Sequence, residues 1–61
     1  MTLHLNDYER GFLLELLEAA HREKLRELSH TDSPAYKGLL RERIAIVEAL
    51  TARLVAAEHA A

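Results

Sequence analysis

The sequence predicts an all-α fold, a two-helix antiparallel hairpin (αα-hairpin) self-associating into a four-helix bundle. Three observations carry that expectation. Apolar residues recur at three- and four-residue spacing through both halves of the chain, the period of an amphipathic helix and not of a strand. The only strong break is Thr31-Asp32-Ser33-Pro34, and two glycines and one proline in all leave too few turns for a sheet of short strands. With 61 residues and no cysteine, the chain should form a single small hairpin domain that neither disulfides nor thiolate-bound metal can reinforce.

Helix 1 is expected over about residues 7–29. Asn6 is a good N-cap, and Glu9, three residues on, can reach back to the Asn6 backbone N–H to close a capping box. Asp7 and Glu9 also set negative charge at the positive end of the helix dipole. Leu13, Leu14, Leu17, Ala20, Leu25 and Leu28 then fall on one arc. The turn is placed at residues 30–33. Proline fits the first helical position and disfavours helical geometry in the residue before it. Ser33 as N-cap with Pro34 following is therefore the simplest arrangement, with Asp32 as N-cap the alternative.

Helix 2 is expected over about residues 34–58, with Tyr36, Leu40, Ile44, Val47, Leu50 and Leu54 on one stripe and His59-Ala60-Ala61 loosely held. A short connection returns the two helices alongside each other. The register then sets Leu28 against Tyr36, Leu25 against Leu39, Leu17 against Val47 and Leu14 against Leu50.

Tyr8, Phe12, Leu16 and Ala19 form a second apolar arc on the far side of helix 1. A helix that is apolar over most of its circumference expects more than one neighbour, and a chain this short usually needs a staple or a partner. Self-association follows, as a two-fold homodimer, with a tetramer the alternative. The expected interface residues are Tyr8, Phe12, Leu13, Leu16, Leu17, Ala19, Ala20, Val47 and Leu50. Charge also divides along the chain. From Arg22 to Arg43 there are six basic and four acidic residues, whereas the remainder carries two basic and six acidic ones. Hairpins with their turns at opposite ends would set these unlike ends together, a bias weakened by a Debye length of about 8 Å.

The same residues limit the function classes. No apolar run exceeds the four residues of Ile44-Ala45-Ile46-Val47, far short of the roughly 20 residues that span a bilayer, so no membrane association is expected. The opening residues show no signal-peptide pattern, which points to a cytoplasmic location. Net charge is −2, acids interleave with the bases near the turn, and Tyr36 is the single aromatic there, too few for a stacking platform; nucleic acid is disfavoured as a partner. No nucleophile–base–orienter set and no Gly-rich phosphate loop occurs, so neither catalysis nor a cofactor is expected.

The sharpest chemical candidate is Glu18-x-x-His21, the spacing that carboxylate-bridged di-metal bundles use, with Glu48 as a further ligand. The more ordinary role for His21, on the apolar arc, is a hydrogen-bonded interface histidine, so no metal is expected.

Leu5-Asn6-Asp7-Tyr8-Glu9 leading into a leucine-rich helix, then Thr31-Asp32, Tyr36, Leu40 and a second leucine-rich helix, resembles a family of small uncharacterised bacterial helical-hairpin proteins. The resemblance spans Leu5 to Leu54, with His30 where that family is expected to carry another basic residue before Thr-Asp. It implies a helical hairpin and no particular activity. In size and plan the chain also resembles the RNA-binding hairpin dimer Rop, without a shared motif. The function expected is a non-enzymatic oligomerisation or protein-interaction module, whose partner is a second copy of itself or another protein. A Rop-like RNA-binding dimer is the alternative, and the di-metal site is the third.

Overall fold

The first helix, α1 (Asp7–His30), begins where a side-chain oxygen can meet the N–H groups that a helix start leaves unbonded. Asn6 Oδ1 accepts the Glu9 N–H at 2.8 Å, and Glu9 Oε1 accepts the Asn6 N–H at 2.9 Å, a complete capping box. The first intrahelical bond runs from the Arg10 N–H to the Asn6 carbonyl at 2.9 Å. The helix ends as Thr31 takes an extended conformation, φ −92° and ψ 143°, its N–H still donating to the Glu27 carbonyl. The computed structural model describes the backbone of residues 4–59 and the side chains of residues 4–56.

Thr31, Asp32 and Ser33 connect α1 to the second helix, α2 (Pro34–His59). Thr31 Oγ1 accepts the Ser33 N–H at 3.3 Å. Ser33 Oγ accepts the Tyr36 N–H at 3.2 Å while its carbonyl accepts the Lys37 N–H at 2.9 Å. Ser33 is thus the N-cap, and Pro34 occupies the first helical position, where no N–H is needed. Ala60 and Ala61, at the end expected to be loosely held, lie outside the described residues.

The two helices pack against each other, and among the described residues there is no strand and no helix long and apolar enough to cross a membrane. The deepest positions all belong to α2: Leu40, 1% exposed, with Ile44 and Val47. With half-buried Lys37, Thr51 and Leu54 they form a line, 37-40-44-47-51-54, whose spacing alternates three and four. That seven-residue repeat is the signature of a coiled-coil seam. On α1 no residue is as deeply covered. Its half-buried residues, among them Leu13, Leu14, Leu17, Ala20, His21, Lys24 and Leu28, form a wider band facing the seam.

Three leucine and tyrosine positions differ from the sequence expectation. Leu25, Tyr36 and Leu50 are exposed, and the seam is filled instead by their neighbours Lys24, Lys37 and Thr51. At 100° per residue Lys24 and Thr51 lie nearer the centre of the contact line than Leu25 and Leu50, and Lys37 lies about as near as Tyr36, so the expectation went astray by admitting only apolar residues to the seam. The lysines can lay their methylene stems along the seam and keep their ammonium groups in water. Thr51 satisfies its hydroxyl on the Val47 carbonyl at 2.8 Å.

Removing the deepest side chain, by Leu40→Ala, should cost about 2–5 kcal/mol in urea denaturation. Ser33→Ala should cost about 1 kcal/mol through loss of the cap, whereas Asp32→Ala should stay within about 0.5 kcal/mol. A Cβ added at Gly11 or Gly38 meets nothing within 4 Å, so alanine at either position should raise stability by about 0.5–1 kcal/mol, all at one fixed protein concentration.

Candidate interaction surface

Among the described residues, two side-chain hydrogen bonds cross between the helices, and they define two flanks of the hairpin. His21 Nε2 lies 3.0 Å from Glu48 Oε2, and the Tyr36 hydroxyl donates to Glu27 Oε2 at 2.8 Å. At 100° per residue, His21 and Glu27 point about 120° apart around α1, as do Tyr36 and Glu48 around α2. The bonds therefore emerge on opposite sides of the seam.

The His21–Glu48 flank is polar. Leu14, Glu18, His21, Arg22 and Thr51 line a shallow depression on it. Arg22 donates to Glu18 Oε1 at 2.6 Å, one turn along the same helix. Of the three candidate metal ligands, the structure thus joins His21 to Glu48 and turns the Glu18 carboxylate to Arg22. Among the described residues no group of three histidine or carboxylate side chains could hold a metal ion.

The Glu27–Tyr36 flank is apolar over most of its length. Leu13 and Leu17 from α1 and Leu50 and Leu54 from α2 line an open groove of about 460 Å³, with Leu5 and His4 at its end and Arg10 and Arg53 at its edges. Arg10 is held by Asp7 at 2.9 Å. Exposed Leu16 on α1, and exposed Leu39 and Ile46 on α2, extend this surface, Ile46 with 57% of its area in contact with solvent. Phe12, 61% exposed, projects at its rim, and Tyr8, 90% exposed, lies beyond it on the outer face of α1.

The nine residues expected at an interface divide accordingly. Val47 is buried in the intrachain seam, Leu13, Leu17 and Ala20 are half-buried, and Tyr8, Phe12, Leu16, Ala19 and Leu50 are exposed. The sequence-based list left out Leu39 and Ile46, although their seven-residue spacing, with Leu50 four residues further on, is a second stripe beside the seam. It also missed the Glu27–Tyr36 bond, which lies one residue from the Leu28–Tyr36 pair that the register proposed.

The Glu27 carboxylate raises the Tyr36 phenol above the ordinary tyrosine value, first by accepting its hydrogen bond, then through partial loss of solvent and the carboxylate charge, with Arg43 pulling the other way. The neutral phenol is thus favoured in the folded chain. Its contribution to stability is present below the unfolded value, near 10, and is lost as pH rises through the folded one. No family model, curated protein or solved structure matches the chain.

In a Tyr8→Phe background, the tyrosinate absorbance of Tyr36 should appear at lower pH once Glu27 is replaced by alanine. Zinc or manganese should leave the thermal unfolding curve where it is, and His21→Ala should not change that result. A metal-dependent rise in melting temperature that His21→Ala abolishes would restore the metal site.

Proposed function

We propose that this chain is a non-enzymatic helical-hairpin module whose work is self-association and, through the assembly formed, protein binding. One observation carries the proposal. Among the described residues, three apolar side chains are buried, whereas nine large ones remain exposed. Burial of apolar area is the main favourable term in folding, and a hairpin that buries so little of its own has little to set against chain entropy. Six of the nine, Phe12, Leu16, Tyr36, Leu39, Ile46 and Leu50, border a single flank, and contiguous apolar surface of that kind marks an interaction site. The capped helix ends and the bonded connection supply a preformed shape for a partner to meet.

Sedimentation of the purified chain at micromolar concentration should show a dimer or a larger species, with a melting temperature that rises with protein concentration. Phe12→Asp should lower the association, since it places a charge where an apolar contact forms. A folded monomer at every concentration, unfolding at one temperature throughout, would overturn the proposal.

A further inference from the structure

Building on self-association, we propose that the second copy docks on the Glu27–Tyr36 flank about a two-fold axis parallel to the helices, so that α1 of each copy lies over α2 of the other with both turns at the same end. The occupant is named by the chemistry of the flank itself. Around α1, the residues that share the Glu27 side at 100° per residue are Leu13, Leu16 and Ala20 together with Glu9 and Glu23. Around α2, those sharing the Tyr36 side are Leu39, Ile46 and Leu50 together with Arg43 and Arg53. Apart from Arg10, which Asp7 already neutralises, one half of the flank is therefore apolar and acidic, the other apolar and basic. A two-fold axis along the helices sets each half on its complement, the isologous, self-matching contact that closed dimers use.

Height along the hairpin agrees with this pairing. Leu13 and Leu50 line the same groove, so Leu16, one turn further along α1, stands near the level of Ile46 and Leu50. An axis along the helices preserves level, and brings Phe12 and Leu16 of one copy onto Ile46 and Leu50 of the other. Glu23 then comes to the level of Arg43, and Glu9 to that of Arg53. An axis across the helices would instead stack α1 on α1 and α2 on α2, placing Glu23 over the apolar N-terminal half of its twin and arginines over leucines. Segment totals favour turns at opposite ends, but the charges that line this flank favour turns together. The area is also sufficient. A hairpin measuring 43 × 20 × 17 Å presents a broad face on the order of 800 Å² per copy, the share that a standard interface takes from each partner.

The opposite flank does not offer this match. There the Glu18–Arg22 ion pair and the His21–Glu48 hydrogen bond already satisfy these groups, and desolvating them would cost more than their contacts return.

The chain has no cysteine, so disulfide trapping can read the geometry directly. Leu16→Cys and Leu50→Cys chains, one of them isotopically labelled, are mixed, oxidised mildly and weighed by mass spectrometry. A disulfide-linked heterodimer should dominate, and each variant alone should stay non-covalent. Self-linked Leu16→Cys dimers would instead show the two α1 helices in contact and overturn the arrangement. So would the absence of any cross-link in chains that still sediment as dimers, which would put the interface on another face and leave self-association standing. Monomeric sedimentation of the unmodified chain removes both proposals.

Discussion

Two helices side by side touch along one line, and in a hairpin that line is the whole of the interior. Everything else in this structure follows from that constraint. Leu40, Ile44 and Val47 occupy the line from α2, and α1 covers them with a broader band that is nowhere fully enclosed. A third residue layer does not exist, so each apolar side chain off the line is left on the surface unless another chain supplies the missing wall.

The local grammar of the fold was readable from the sequence because its signals act over three or four residues. Asn6 with Glu9, and Ser33 with Pro34, fix helix starts through contacts within one turn. The seam was harder to read. Its line follows a regular spacing, but three of the positions on it are polar. Lys24 and Thr51 stand nearer its centre than Leu25 and Leu50, and Lys37 stands there in place of Tyr36 at a similar angle. An all-apolar expectation for the seam hid the exchange, because the lysine stems and the Thr51 hydroxyl bonded to the Val47 carbonyl can occupy such positions at little cost.

The candidate surface was half legible for a related reason. The ridge of Tyr8, Phe12 and Leu16 lies on one helix and could be seen in one projection. The other half, Leu39, Ile46 and Leu50, belongs to the same surface only once the register and the handedness of the pairing are known. Two cross-helix bonds supply that information, His21 with Glu48 on one side and Tyr36 with Glu27 on the other. They also give the two flanks opposite characters. One is closed by polar pairs, Glu18 with Arg22 and His21 with Glu48, and the other is apolar, with Glu9, Glu23 and Glu27 on α1 and Arg43 and Arg53 on α2.

The connection between the helices governs topology as well as direction. Thr31, Asp32 and Ser33 make the turn without glycine and without any positive φ, so nothing in their own backbone forbids them from becoming helical. What forbids it is Pro34. In an uninterrupted helix through this point, its ring would press on the His30 carbonyl and a hydrogen bond would be lost, about 3 kcal/mol against the straightened form. A hairpin with a short hinge is otherwise a ready candidate for domain swapping, in which two chains open and exchange helices. Here one imino acid keeps the hinge shut. An assembly of this chain would therefore be built of closed hairpins, which could separate again without unthreading.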